Sequence, residues 1–335
     1  MENQIDFVVL WVDGADPAWR KEKEKYAVAE GSDVGAARYR EWGNLHFWFR
    51  GVERFAPWVR RIHFVTWGHL PPWLNTEHPK LHIVNHRDFM PAEYLPTFNT
   101  NPIELNIHRI AGLSEKFVYF NDDMFLIDAV EPRDFFDGEL PRDRFLMEAI
   151  LPEKDKIKSI IFNDVKLINA HFSKREILKK YRRKIYTWKN GKDGIRNFLL
   201  LPWKKFTGFH DDHLPLAFRK ETFEQVWEQE PEVLHQTCLR KFRNERDVSA
   251  WLMRYWALAS GAFSPKTLQG VYDNICAGGW QSPEVIRRQS CKMICCNDVG
   301  ECLDFEQRKR TLIQAFEQIL PERSGYEKEE SKEKV

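Results

Sequence analysis

The chain has 335 residues, with 51 Lys and Arg against 50 Asp and Glu, for a net charge of +1. That balance excludes a general nucleic-acid or anionic-membrane binder that works through its overall charge. Hydrophobic residues at 43% and charged residues at 30% exclude a disordered chain, and 13 Trp, 9 Tyr and 24 Phe call for a large core or for stacking surfaces.

No stretch approaches the roughly 18 apolar residues that span a bilayer. The N-terminus, MENQIDFVVLWVDGADP, lacks a basic leader and reads as a buried strand rather than a signal peptide, so a cytoplasmic location is expected. The six cysteines then read as reduced thiols. Cys291, Cys295, Cys296 and Cys302 lack the paired C-x2-C spacing of zinc sites, so buried thiols are the expectation there.

In chain order, the apolar run 5–12 predicts a strand buried on both faces, ending at Asp13-Gly14. A solvated helix follows from Asp16 to Tyr26, and residues 31–37 read as a mobile loop. Leu45, Trp48, Phe49, Val52 and Phe55 recur at helical spacing. Residues 61–68 and 81–86 predict strands, and 102–113 a single helix. The run 116–126 predicts a strand that carries the paired acids Asp122-Asp123. Strand–helix alternation to this point implies an α/β fold with a parallel sheet. Beyond residue 140 the pattern turns irregular. Residues 171–186, several turns within 215–260 and residues 303–320 predict helices, KKYRRK at 179–184 is a basic patch, and the tail 327–335 frays.

Open α/β sheets bind ligands beyond the carboxyl ends of their strands. Asp122 and Asp123, after YFN, stand at such an end and can hold Mg²⁺ or Mn²⁺ against a diphosphate, while a plain Asp turn is the alternative. Asp13 and Gly14 sit at another strand end and could face a nucleotide, whereas Asp16 could simply cap the next helix. Glu104, His108 and Arg109 fall along one predicted helix, with Arg109 available to a phosphate or to a structural pair. His210 and His213 lie in an acidic HDDH cluster before Pro215, where a helix start is expected; a His there could act as base, as metal ligand, or as a polar loop residue. Asn297-Asp298 ends the run CKMICC and could add metal or phosphate contacts. Dinucleotide and P-loop fingerprints are absent.

Four blocks, IDFVVLWVDGADPAW, the long segment 38–126 that closes on IELNIHRIAGLSEKFVYFNDDMFL, the HDDHLPLAF region, and KMICCND through PERSGYE, make the chain resemble the Stealth family of hexose-1-phosphate transferases. The resemblance implies a GT-A-like (Rossmann-like) α/β nucleotide-sugar transferase domain with a mostly helical second half. It divides the chain into a nucleotide-sugar half (1–140), a helical acceptor-side region (141–290), a strand and helix completing the catalytic domain (291–327), and a frayed tail (328–335). It implies transfer of a sugar 1-phosphate from a UDP-sugar to a saccharide hydroxyl with release of UMP, in capsule or exopolysaccharide synthesis. His213, Asp123, Glu104 and Arg109 are the expected catalytic residues. Asp13, Gly14, Asn121 and Asp122 are expected at the nucleotide, and Asp123, Asn297 and Asp298 at Mg²⁺ or Mn²⁺. The expected partners are a nucleotide-diphosphate sugar and an oligo- or polysaccharide acceptor, with no nucleic acid and at most a peripheral contact with the inner face of the membrane. Metal-dependent glycosyl transfer releasing UDP, and silent polysaccharide binding through the many Trp, are the competing readings.

Overall fold

The computed structural model describes residues 4–30, 40–151 and 156–329. The predicted loop at 31–37 lies outside them, as does the end of the tail. The described residues form eleven strands: β1 (Ile5–Leu10), β2 (Ile62–Thr66), β3 (Leu81–Asn85), β4 (Lys116–Phe120), β5 (Met124–Leu126), β6 (Phe136–Asp137), β7 (Leu140–Asp143), β8 (Leu216–Arg219), β9 (Ser264–Pro265), β10 (Gly270–Asn274) and β11 (Met293–Asn297). The main sheet has the order β3-β2-β1-β4-β8, parallel except for β8. A second sheet, β10-β11-β5, carries the C-terminal strand, and β6-β7-β9 form a third.

Strand β1 is buried on both faces, as its unbroken apolar run predicts. Ile5, Phe7 and Val9 enter one core and Val8 and Leu10 the other, the period-two alternation that a pleated strand imposes. The first core joins helix α1's neighbour α2 (Leu45–Phe55), β5, β11 and the helix Phe305–Ile319; α1 itself spans Pro17–Glu30. The second core holds the helices Lys156–His171, Lys220–Gln229 and Ala250–Ser260 against the opposite face. The N-terminal edge of the sheet is pinned by Asp6. Its buried carboxylate accepts from Arg60 Nε at 2.8 Å, from Arg60 Nη2, and from the Ser114 amide at 2.8 Å, and it meets His63 Nε2 at 3.0 Å.

Two expectations are corrected. The segment after His213 is a strand, β8, not a helix start: Pro215 would suit either, and the antiparallel ladder of Leu216–Arg219 on β4 decides for the strand. The predicted helix 102–113 is shorter and broken. Helix α3 spans Thr100–Asn106, a 3-10 turn takes Ile107–Arg109, and Ile110 is extended. The change from 3.6 to 3.0 residues per turn re-aims everything after Asn106.

Candidate active site

The register of the main sheet explains why distant segments meet. Val9 pairs with Phe120, so Asp13 and Asn121–Asp123 leave the sheet at the same carboxyl edge. Strand β8 runs antiparallel with Leu216 opposite Tyr119, which brings His213, three residues earlier, beside the acids. Strand β11 is antiparallel to β5 with Cys295 opposite Met124, and the Cys296 amide donates to the Asp123 carbonyl at 2.8 Å. The end of β11 therefore arrives where β4 stops. Helix α2 is pressed on this junction: a Cβ on Gly51 would stand 2.8 Å from the Leu126 carbonyl oxygen, so only glycine fits there.

The resulting crevice gathers one ligand atom each from Asp123, His213 and Cys295, all within 4.8 Å of one another. Asp123 Oδ1 is buried with no hydrogen-bond partner among the described residues. Burial pushes the Asp123 carboxyl up, opposed by His213 and the Cys295 thiol, with Asp298 adding to the rise. Crowding by protein atoms and the adjacent Asp123 charge push Asp122 up to about 7, even though its outer surface meets solvent. Two like charges held side by side in a partly enclosed crevice are costly without a cation.

His213 adopts a left-handed backbone, φ 51°, and its Nδ1 lies 3.4 Å from Asp211 Oδ2. Burial disfavours its charge, yet Asp211, Asp123 and Glu104 together hold its pKa above the ordinary imidazole value. Its ring meets Tyr272 edge-on, 5.3 Å between centroids, and Asn297 Nδ2 donates to the Tyr272 hydroxyl at 3.1 Å. His210 is differently placed. Asp212 and Glu148 push it up to about 9, which keeps it a cation at neutral pH and makes it an ion-pair member.

Glu104 reaches the crevice from α3. The Tyr119 hydroxyl stands 2.8 Å from its Oε1 and 2.6 Å from Asn121 Oδ1, so one phenol orients both groups. Burial pushes the Glu104 carboxyl up; the Ala250 amide, at the positive start of the helix Ala250–Ser260, and Arg243 oppose that rise. Asp13 Oδ1 accepts from the Ala15 amide at 2.8 Å and the Asp13 amide donates to His69 Nε2 at 2.7 Å. Gly14 is buried, and its carbonyl accepts from Arg20 Nε at 2.6 Å. Asp16 caps α1 by accepting from the Trp19 amide at 2.7 Å.

Two expected residues are engaged otherwise. Arg109 is exposed and its guanidinium lies over Trp227, 4.8 Å from the ring centroid, on the helix that follows β8 at the amino end of β4. The structure does not bring it to the acids. Asp298 is close, but Oδ2 accepts from Trp42 Nε1 at 2.8 Å and Oδ1 from Arg40 Nη2 at 2.8 Å and Cys276 Sγ at 3.1 Å. Sequence reasoning missed Tyr119 and Arg243, gave Cys295 only the role of a buried thiol, and had Asp211 only as part of the HDDH cluster. Tyr119 was legible: it stands two residues from Asn121 on one strand face. Cys295 was not, because only the β11–β5 register brings it in.

The donor set is a carboxylate, an imidazole and a thiol. Burial and Asp123 hold the Cys295 thiol well above its usual pKa, so it stays protonated at neutral pH and is a poor ligand for a hard cation. The unpartnered Asp123 oxygen beside Asp122 fits Mg²⁺ or Mn²⁺, which commonly bind through one or two carboxylates and substrate phosphates.

Parallel strands ending in an acidic crevice, with a histidine across it and a buried orphan carboxylate oxygen, make a site that can hold a divalent cation and move a proton. The models of Stealth protein conserved region 1 and conserved region 2 match residues 3–27 and 38–143. The capsular polysaccharide phosphotransferase WcwK of Streptococcus pneumoniae is 41% identical over 97% of this chain and 98% of its own. The receptor polysaccharide phosphotransferase WefC of Streptococcus oralis is 41% identical over 97% and 99%, and the exopolysaccharide phosphotransferase cps2G of Lactiplantibacillus plantarum 39% over 97% and 96%. The chain belongs to the Stealth family. Among solved structures, the galactosyltransferase LgtC in complex with donor and acceptor sugar analogues aligns over 92% of this chain and 95% of its own, at 13% identity and a TM-score of 0.40. No helix among the described residues is long and apolar enough to cross a membrane.

Proposed function

We propose that this enzyme transfers a sugar 1-phosphate from a UDP-sugar, a UDP-HexNAc in the first instance, to a saccharide hydroxyl during capsule or exopolysaccharide synthesis. The observation that carries the reading is the unpartnered Asp123 oxygen facing His213 at the carboxyl edge of a parallel sheet. The acceptor oxygen forms a bond to the β-phosphorus, the bond from that phosphorus to the bridging oxygen breaks, and UMP leaves. The C1–O bond survives, so the donor's anomeric configuration persists.

Asp123 and Asp122 would hold a divalent cation that offsets charge on the departing nucleotide. Asp13 and Gly14 face the nucleotide. Asp211 orients His213, which takes the acceptor's proton at its free nitrogen. Neutralising Asp123 removes part of the support that holds the His213 proton, leaving the ring nearer the neutral form a base needs. Glu104, set by Tyr119 and the Ala250 amide, lines the wall opposite, with Arg243 as the cation facing it. In this arrangement Asp298 positions Arg40 and Trp42 at the rim. Incubation with UDP-GlcNAc, Mg²⁺ and a capsule-type oligosaccharide tests the reading. UMP is the expected nucleotide; UDP would assign ordinary glycosyl transfer instead.

A further inference from the structure

One face of the molecule reverses the usual polarity of a surface helix. In the short helix Ile195–Leu199, the polar Asn197 is fully buried, its amide donating to the Phe145 carbonyl at 2.8 Å. Ile195, Phe198 and Leu199 point outward instead, with Leu199 65% exposed. The ridge continues through Leu201 and Trp203, and Trp188 beside it is 81% exposed. Monomeric proteins expose such side chains singly, not as a contiguous ridge.

The ridge is held rigidly in this posture. Lys174 Nζ donates to the carbonyls of Leu200 at 2.6 Å and Trp203 at 2.8 Å, and Asn169 clamps both the carbonyl and the amide of Phe206. Next to it, a groove of about 710 Å³ is walled by exposed Leu151 and Phe162 and edged by Lys158, Lys166 and Arg246. Phe162, Lys166 and Asn169 follow one another at helical spacing, which makes ridge and groove one surface.

The charge around this surface decides what covers it. Residues 174–206 hold twelve Lys and Arg against two Asp and Glu, while the whole chain is balanced at +1. Of these, Asp193 is paired with Arg144 at 2.6 Å, Arg196 with Glu148 at 2.9 Å, and Lys174 is buried beneath the ridge, which still leaves a clear basic excess. Leu, Ile and Trp ringed by Lys and Arg match a bilayer interface, where apolar side chains enter the acyl boundary and nearby basic residues add attraction to anionic lipid. A saccharide would need hydrogen-bonding groups between the rings, and aliphatic Leu and Ile supply none.

We propose that the surface formed by Trp188, Ile195, Phe198, Leu199, Leu201 and Trp203, with its basic surround, docks the enzyme on an anionic lipid bilayer. Its position gives the contact a consequence. Arg144, which pairs with Asp193 beneath the ridge, also pairs with Asp212 at 2.6 Å, next to His213, so the bilayer lies against the wall that carries the base.

The test is co-sedimentation of the purified full chain with mixed phosphatidylcholine–phosphatidylglycerol vesicles and with pure phosphatidylcholine vesicles. The chain is expected to partition onto the anionic vesicles and to lose that partition as salt rises. The double variant Leu199→Ser, Trp203→Ser should weaken it at least tenfold. Lys192→Glu with Lys204→Glu should abolish the preference for the anionic vesicles. Both variants should keep the wild-type thermal unfolding profile and turnover of a soluble acceptor, since none of the four residues touches the crevice. Failure of the wild type to partition would overturn the proposal. So would variants that partition like wild type, or a dimer in solution that the Leu199→Ser, Trp203→Ser pair dissociates.

Discussion

Replacing Asp123 by Asn should move activity and stability in opposite directions. The Asp123 carboxyl sits in the crevice with one oxygen unpartnered, and burial holds its pKa above that of a solvated Asp. An acid whose folded pKa is raised opposes folding once pH exceeds the unfolded value, about 4. The metal-free Asn variant should therefore be more stable than wild type at neutral pH, by about 1.4 kcal/mol for each unit by which folding raises the carboxyl pKa. That gain should vanish as pH falls below about 4, where the wild-type carboxyl is protonated in both states. Activity should fall on the order of 10²-fold or more, about 2.7 kcal/mol, the scale of losing a charge-stabilising group. Denaturant melts in chelator and turnover in Mg²⁺ measure both. A metal-free Asn variant no more stable than wild type, or one that keeps full turnover, would refute the assignment of Asp123 as an acid kept for a cation.

Further expectations follow from neighbouring groups. His213→Ala should lower kcat by about 10²-fold or more with the fold retained, as for loss of a general base, whereas His210→Ala should chiefly lower the melting temperature, because His210 serves the Glu148 and Asp212 ion pairs. Arg109→Ala should leave turnover within twofold of wild type; a large loss would mean that its stacking on Trp227 is not its only task. Asp6→Asn should destabilise by about 3–5 kcal/mol, since it strands buried partners. Asp6 has a depressed folded pKa, held down by His63 and Arg60 against burial, so its wild-type contribution is present above the unfolded value and lost as pH falls below it. Acid melts of the two proteins should therefore converge. Gly51→Ala should cost about 1–3 kcal/mol from the clash with the Leu126 carbonyl.

How much was legible depends on the range of the information. Strand β1, α2 and the strand leading to Asp122 carry their own periodicity, and the helix Phe305–Ile319 does too. The crevice needed register. Nothing local in LPLAFR says that it pairs with β4, yet that pairing is what sets His213 against Asp123. Arg109 shows the converse: a helix extended one turn too far made it available to a phosphate, while past the 3-10 turn that follows Asn106 it lies over Trp227. Asp298 was found by its place at a strand end, but Arg40 and Trp42, far away in sequence, take up its oxygens.

The fate of the donor's β-phosphorus tests the central claim most directly. With a UDP-sugar labelled at the β-phosphate and a saccharide acceptor, the label should appear in the saccharide product as a phosphodiester, with unlabelled UMP released, and both should disappear in Asp123→Ala. Label that leaves as UDP, with a product free of phosphate, would contradict the account.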